Sequence, residues 1–246
     1  MPQSVRRKLT ALVLIIGCVS FAGPMAAHAQ RYSDFTIPRP LPPNSYLVIG
    51  MLGGVERWNA DSRPVRQLAL EVRKRNLPNV YVETLEHVHK GLALKLIRAA
   101  LDRNSDGKLD DQERASARII LYGHSMGAAS VVSLARKLNN LNIPVLLTLQ
   151  VDSIGRGAGT IPPNVARTAN FYQRNSLLLH GRGEIRAQDP GKTTILGNFR
   201  YDYSQRDVDL SKVSIPERIA GGSHTKMEFD PEVWSAVEKL ILAEIK

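Results

Sequence analysis

One serine of this chain stands in a pattern that activates serine hydroxyls. Residues 123–127, GHSMG, have the form G-x-S-x-G, with a glycine two positions to either side of Ser125. An apolar run at 119–122 precedes the pattern, and a segment rich in Ala, Val and Leu at 128–138 follows it. Strand, sharp turn and helix in this order place a serine on a strained tip, where the glycines leave room that a Cβ would fill. Ser125 is therefore predicted to be a nucleophile.

The first 29 residues have the composition of a secretory signal peptide. Three basic residues at 6–8 precede an apolar stretch at 9–23, and a small-x-small cleavage site ends at Ala29. This predicts export, to the periplasm or beyond, after cleavage near Ala29, with no transmembrane span in the mature chain. An alternative is the segment 15–18, which resembles a bacterial lipobox and would leave a lipid anchor at Cys18. Since Cys18 is the one cysteine, cleavage at Ala29 leaves no disulfide in the mature protein.

Length and charge predict one domain without a nucleic-acid partner. Of the 246 residues, a proline-rich lead-in takes 30–45, and 46–246 are long enough for a single domain with its own core. The net charge is +10, and a basic cluster at 63–75 is typical of a solvated helix face. Nucleic-acid binding is not expected, because the basic residues are not interleaved with aromatic ones.

Alternating strands and helices predict an α/β fold. The predicted strands are 46–49, 80–85, 119–122, 144–151 and 165–172, with less regular ones at 176–179 and 194–203. The predicted helices are 61–75, 90–101, 111–117, 128–140 and 231–245. Continuous apolar strands are typical of a mostly parallel sheet with helices on both faces. Reactive side chains in such a sheet gather at the carboxyl ends of the strands.

A second motif lies between two predicted helices. Residues 102–113, DRNSDGKLDDQE, fit the twelve-residue EF-hand loop, with alternating oxygen ligands and a glycine at the sixth position. The predicted ligands of a structural Ca²⁺ are Asp102, Asn104, Asp106, the Lys108 carbonyl, Asp110 and Glu113. The loop is single, whereas EF-hands usually pair, so a polar connecting loop is the alternative. A bound ion would stiffen the entry into the 119–122 strand and lie away from the chemistry.

The order of the elements resembles that of the α/β-hydrolase family of secreted lipases and esterases. From Tyr46 onward, a strand, a glycine turn, a helix, a strand and a helix precede GHSMG; a helix, a strand ending in Asp and a late His follow it. The resemblance implies a compact α/β-hydrolase, because the first antiparallel strands of the family are missing or reduced. It also implies acyl transfer from an ester to water, with no cofactor for catalysis.

The resemblance implies a base that follows the nucleophile in the chain. His28 would leave with the signal peptide, and His87 and His89 precede Ser125. His124 is the variable residue of the serine turn and is too constrained to reach back, which leaves His180 and His224. His224 lies in a glycine-containing segment, 221–225, before the last helix, where the family carries its base. His224 is therefore the predicted base.

The predicted acid is Asp152, which directly follows the 144–151 strand. A carboxylate at that strand end would hold the imidazole in the required tautomer. Many relatives carry the acid one strand later, so Asp189 and Asp202 stay open as alternatives. Asp152 would then be only a turn-forming residue.

Two backbone N–H groups would form the oxyanion hole. Met126 follows the nucleophile, and Met51 lies in a glycine-containing turn predicted at 50–54, with Leu52 as its alternative. The three apolar side chains would line an acyl-binding wall, which favours a small-molecule or lipid ester as substrate.

These expectations combine into a secreted serine hydrolase that cleaves carboxylic esters through an acyl-enzyme on Ser125. His224 would act as base and Asp152 as the orienting acid. Two alternatives stay open: a non-catalytic calcium-binding envelope protein on the same scaffold, and an acyltransferase that uses the same triad.

Overall fold

A parallel sheet forms the centre of the molecule. The computed structural model describes residues 29–176 and 179–245. Its strands are β1 (Tyr46–Leu52), β2 (Val80–Glu86), β3 (Ile119–His124), β4 (Val145–Val151), β5 (Thr160–Ile161), β6 (Val165–Gln173), β7 (Arg186–Ala187) and β8 (Thr194–Tyr201). Six of them form one sheet in the order β2-β1-β3-β4-β6-β8, and every neighbouring pair is parallel. The short strands β5 and β7 pair separately.

Helices connect most of the parallel strands, as parallel pairing requires crossovers. They are α1 (Pro64–Lys74), α2 (Lys90–Leu101), α3 (Asp111–Ala115), α4 (Met126–Asn139), α5 (Ile215–Gly221), α6 (Ser223–Phe229) and α7 (Pro231–Glu244). The parallel sheet and its crossover helices confirm the predicted α/β class. None of the helices in residues 29–176 and 179–245 has the length and apolar character needed to span a membrane.

The strands contribute side chains to two hydrophobic cores, because successive side chains of a strand point to opposite faces of the sheet. Leu47 and Ile49 of β1 join a core with α2 and α4, whereas Tyr46 and Val48 join the opposite core with α1 and α7. Both faces of the sheet are therefore covered by helices, as predicted. Burial on both faces explains why these strands are continuous apolar runs.

The lead-in at 30–45 packs against the sheet edge that β2 forms. The Gln30 side chain donates to the carbonyl of Thr84 at 2.8 Å, and Thr36 N donates to the buried carboxylate of Glu83 at 2.7 Å. Phe35 and Ile37 are buried in the core on that side. The predicted signal peptide and Cys18 fall on residues 1–28, which lie outside the described residues.

The first predicted turn begins later than expected. β1 continues through Met51 and Leu52, which pair with Leu85 and Glu86 of β2, so the turn starts only at Gly53. The expectation of a turn at 50–54 was wrong, because the strand gains ladder partners on both sides up to Met51.

Two helices near the C-terminus were not predicted. The segment 221–225, expected to be a glycine-containing loop, is instead the junction of α5 and α6. Gly222 forms this junction with φ +52°, a conformation that favours glycine. His224 therefore stands in the first turn of a helix. Of the strand predicted at 176–179, residues 177–178 lie outside the described residues, and Ser176 and Leu179 are not in a strand.

The N-terminus of α4 lies unusually close to β1. A Cβ on Gly127 would stand 2.0 Å from the Met51 carbonyl oxygen and 2.8 Å from that of Leu52. Backbone atoms occupy that space, so a side chain at this position would force the helix off the sheet. This contact fixes where the helix begins and thus where Ser125 stands.

We expect Gly127→Ala to lower the free energy of unfolding by about 3 kcal/mol or more, because the methyl group overpacks a backbone contact. The matched control is Gly91→Ala in α2, where an added Cβ meets open space. The control should leave stability unchanged or raise it by up to about 1 kcal/mol. Urea unfolding measures both; equal effects of the two variants would contradict this account of the contact.

Candidate active site

The turn between β3 and α4 holds Ser125 in a strained conformation. Its φ is 55° and its ψ is −126°, a region that non-glycine residues seldom occupy, at a cost of about 1–3 kcal/mol. Hydrogen bonds hold it there: Ser125 N donates to the Val151 carbonyl at 2.9 Å, and the Ser125 carbonyl accepts from Ile154 N at 3.1 Å. The strain is thus maintained by the neighbouring strand β4, which also carries Asp152 at its end.

The structure brings Ser125, His224 and Asp152 into one hydrogen-bonded chain. His224 Nε2 lies 3.1 Å from Ser125 Oγ, and His224 Nδ1 lies 2.6 Å from Asp152 Oδ2. An ionised carboxylate only accepts hydrogen bonds, so Nδ1 carries the proton and Nε2 presents its lone pair to the serine. Ser125 and His224 each keep 8% of their surface exposed and Asp152 none, so only the reacting end of the chain meets solvent.

Asp152 is held by donors that the sequence analysis missed. Its Oδ1 accepts from Gly181 N at 2.6 Å and from Gln173 N at 3.4 Å, while Oδ2 accepts from the Gln173 side chain at 2.9 Å. These bonds stabilise a buried negative charge and fix the carboxylate plane relative to His224. The sequence carries no signal for them, because Gln173 is the last residue of β6 and Gly181 lies in the loop beyond it.

The alternative site residues lie elsewhere. His180 is exposed and contacts the Arg174 side chain at 2.8 Å. Asp202 is exposed and binds Asn175 and Ser204, and Asp189 accepts from the backbone of its own loop. The carboxylate that reaches the His224 imidazole is that of Asp152.

The predicted oxyanion donors differ in their setting. Met126 is the first residue of α4, where the backbone N–H groups have no partner within the helix. Met51 lies inside β1, opposite Gly123 of β3, and its donation to an oxyanion stays a prediction. The prediction that Met51, Leu52 and Met126 line an acyl-binding wall was wrong in part. The side chains of Met51 and Leu52 are fully buried in the two cores, and of the three only Met126 is exposed, by 40%.

A buried imidazole lies directly behind the His224 ring. His124 stacks on His224 with the ring centroids 4.6 Å apart and the planes inclined by 27°. Burial lowers the pKa of His124 well below its usual value, and the charges of His224 and Arg63 lower it further. His124 is therefore neutral at pH 7, and its place as the variable residue of the serine turn gave no indication of this contact.

Next to His124, three carboxyl groups surround the guanidinium of Arg63. Arg63 Nη1 bonds Glu217 and lies 3.3 Å from Glu228 Oε1 and 3.9 Å from Glu56 Oε1. Burial raises the pKa of Glu228 well above its usual value, and the charge of Glu56 adds to the effect. The four residues come from separate parts of the chain: Glu56 follows β1, Arg63 directly precedes α1, Glu217 lies in α5 and Glu228 lies in α6. The spacing of residues in the sequence therefore did not reveal this group.

Backbone N–H groups of the loop at 102–113 donate to several of its polar side chains. Asp102 Oδ2 accepts from Gly107 N at 2.9 Å, and Asn104 Oδ1 accepts from Asp106 N at 2.9 Å. Glu113 is buried, and its carboxylate accepts from backbone N–H groups within the loop, including that of Asp110 at 3.1 Å. The side-chain oxygens of Asp102, Asn104 and Glu113 are thus bound by backbone N–H groups of the loop itself. Calcium binding by Asp102, Asn104, Asp106, Lys108, Asp110 and Glu113 stays a prediction.

Comparison with known proteins does not assign a family. No family model matches the sequence, and neither does any curated protein. Among solved structures, the chain is similar to a cutinase-like protein from Cryptococcus sp., with 13% identity and a TM-score of 0.44 over 85% of this chain and 98% of that one. It is also similar to the RedJ thioesterase of prodiginine biosynthesis from Streptomyces coelicolor, with 12% identity and a TM-score of 0.42 over 92% of this chain and 98% of that one. A third similar structure is an acetyl xylan esterase, with 9% identity and a TM-score of 0.37 over 83% of this chain and 100% of that one. Identities and scores this low carry no argument about activity.

The surroundings of Asp152 predict a pH-dependent defect in Gln173→Glu. The Gln173 amide donates to both Asp152 Oδ2 and the Leu179 carbonyl, so a carboxyl at this position must keep its proton in the folded state. A folded-state pKa above about 4.3, the ordinary value for Glu, makes the free energy of unfolding fall as pH rises.

We expect Gln173→Glu to lose about 2–3 kcal/mol at pH 7 and less at pH 4.5. Gln188→Glu, at an exposed position, is the matched control and should stay within about 0.5 kcal/mol of the parent protein at both pH values. Urea unfolding at the two pH values measures the difference. A deficit of equal size at pH 4.5 and pH 7 would rule out the proposed proton uptake.

Proposed function

We propose that this protein is an exported serine hydrolase that cleaves carboxylic esters through an acyl-enzyme on Ser125. The observation that carries the proposal is the hydrogen-bonded chain from Ser125 Oγ through His224 to Asp152, with the serine on a strained turn. A nucleophile, a base within reach of it and a group that orients the base are the requirements of nucleophilic acyl transfer.

In the first half of the reaction, Ser125 Oγ attacks the ester carbonyl carbon while His224 Nε2 takes the hydroxyl proton. The carbonyl oxygen becomes an oxyanion near the N-terminus of α4, where the free N–H of Met126 and the helix dipole stabilise negative charge. The carbonyl re-forms as the bond to the alcohol oxygen breaks, and His224 gives the proton to the departing alkoxide. The acyl group is then esterified to Ser125.

In the second half, water takes the place of the alcohol. His224 removes a proton from water as its oxygen attacks the acyl carbon, and the collapse returns that proton to Ser125 Oγ. Asp152 stays ionised throughout and stabilises the imidazolium through the 2.6 Å bond to Nδ1. Carboxylic acid and alcohol are the products, and the enzyme is restored.

Exposed apolar side chains support an ester with an apolar part. Met126 follows the nucleophile, Val55 lies two residues beyond Gly53, and Ile215 and Ile219 project from α5, which packs on the helix that carries His224. Val55 and Ile219 are more than three-quarters exposed. A substrate with an acyl or alkyl chain would cover such side chains, which favours small apolar or lipid esters.

A fluorophosphonate probe tests the proposal, because it labels only an activated serine. The parent protein should be labelled and should hydrolyse a short p-nitrophenyl ester, whereas Ser125→Ala should lose labelling and lower the hydrolysis rate by about ten thousand-fold or more. Ser133→Ala, on the same helix α4, is the matched control and should retain both properties. Absence of labelling in the folded parent protein would instead favour a non-catalytic protein on this scaffold.

The loop at 102–113 is proposed to bind one structural Ca²⁺, on the basis of its EF-hand ligand pattern. Because an ion that binds only the folded state stabilises it, saturating Ca²⁺ should raise the melting temperature by about 5 °C relative to a chelator. Asp106→Ala, at a ligand position, should abolish the shift. Asp111→Ala, whose exposed carboxylate pairs with Arg114, should retain it. If Ca²⁺ does not change the melting temperature of the parent protein, the loop is only a polar connection between two helices.

A further inference from the structure

We propose that His124, Glu56 and Glu228 form a binding site for a divalent transition-metal cation of the Zn²⁺ type, directly behind the His224 ring. The three side chains each offer one ligand atom, and these atoms all lie within 4.8 Å of one another. The site is separate from the calcium motif, and its existence does not depend on the proposed esterase activity.

His124 is a buried side chain whose ring nitrogens have no hydrogen-bond partner among the described residues. A buried polar group without a partner is costly, and native structures retain such groups mainly where something else binds them. His124 Nδ1 points toward Glu228, with 4.0 Å between Nδ1 and Oε2. A neutral imidazole aimed at two carboxylates is the donor set that Zn²⁺ accepts.

Carboxyl groups outnumber positive charges beside His124. One guanidinium, that of Arg63, faces the carboxyl groups of Glu56, Glu217 and Glu228. Three carboxyl groups around one positive charge cannot all ionise at low cost in a mostly buried space, and a further cation would compensate the charge of the additional carboxylates. A divalent cation does this while it also gives His124 a partner.

Contacts outside the proposed ligand set orient the carboxyl groups of Glu228 and Glu56. Arg63 binds Glu228 through Oε1, which leaves Oε2 on the side of His124. Glu56 is fixed through Oε2, which accepts from Gly53 N at 3.2 Å. Metal-binding carboxylates are commonly held in this way by donors outside the ligand set, because the second contact orients the ligand atom.

The site has an entrance on the Arg63 side. The side chains of Glu56, Arg63 and Glu217 are 11%, 20% and 25% exposed, whereas those of His124 and Glu228 are 2% and 6% exposed. A cation can therefore enter past the outer carboxylates and come to rest against the buried imidazole. An entry path of this kind is required of a metal site in a folded chain.

A bound cation would join three segments that carry the candidate active site. Glu56 follows the turn after β1, His124 ends β3 directly before Ser125, and Glu228 lies one helical turn after His224 on α6. The metal would thus hold the base-carrying helix against the serine turn. The nitrogen ligand separates this site from the loop at 102–113, whose ligands are all oxygen atoms and suit Ca²⁺.

Direct metal titration tests the proposal. The full chain, stripped with EDTA and dialysed, is titrated with Zn²⁺ and Co²⁺ in the presence of saturating Ca²⁺. We expect one Zn²⁺ per chain, a rise in melting temperature of about 5 °C at saturation, and visible Co²⁺ absorption bands that change in His124→Gln. Glu228→Gln and Glu56→Gln should each weaken Zn²⁺ binding about 100-fold or more.

Glu217→Gln is the matched control, because Glu217 contacts Arg63 without belonging to the ligand set, and it should bind Zn²⁺ like the parent protein. Ser125→Ala should also bind like the parent, so the result is independent of ester hydrolysis. If circular dichroism shows that Glu228→Gln is unfolded, the Zn²⁺ affinity of Glu56→Gln, a change at a partly exposed residue, tests the proposal instead. The proposal is overturned if the parent chain binds no Zn²⁺, or if Glu56→Gln binds it as tightly as Glu217→Gln.

Discussion

The close approach of α4 to β1 is the constraint on which the rest of the structure depends. With no side chain at Gly127, the first turn of the helix rests on the carbonyls of Met51 and Leu52. The chain must therefore reverse within one residue between β3 and α4, and Ser125 takes the positive φ that this reversal needs. Hydrogen bonds to Val151 and Ile154 then keep the strained residue in place. Packing that is worth several kcal/mol thus maintains a local conformation that costs about 1–3 kcal/mol.

The same packing determines what surrounds the serine. Since β4 lies beside β3, the carboxyl end of β4 delivers Asp152 to the edge at which Ser125 stands. His224 reaches that edge from a helix whose first turn is set by the positive φ of Gly222. The hydrogen-bonded chain from Ser125 through His224 to Asp152 therefore joins the ends of two strands and one helix, and each of these positions is fixed by backbone geometry. Gln173 and Gly181 complete it by holding the carboxylate plane.

Behind the His224 ring, the polar groups have fewer hydrogen-bond partners than those in the chain from Ser125 to Asp152. Every oxygen of Asp152 has donors, whereas His124 has none among the described residues, and three carboxyl groups share one guanidinium. The proposed cation would give His124 a bonding partner and would compensate the charge of these carboxyl groups. Because His124 stacks on His224, the occupancy of that region bears directly on the ring that would carry the proton.

By itself, the sequence determined the α/β class, the central strands and the position of the serine turn. These follow from local patterns: continuous apolar runs, helical periodicity and glycines at fixed spacing around Ser125. It also singled out His224 and Asp152, although His180, Asp189 and Asp202 stayed open because each satisfies the same order along the chain. Only the tertiary structure decided which of them meet, since their separation in space depends on strand order and on where β4 and α6 end. Gln173, Gly181 and the group of Glu56, Arg63 and Glu228 had no signal in the sequence. Contacts such as that of Gln173 with Asp152, 21 positions apart, or of Arg63 with Glu228, 165 positions apart, leave no local periodicity.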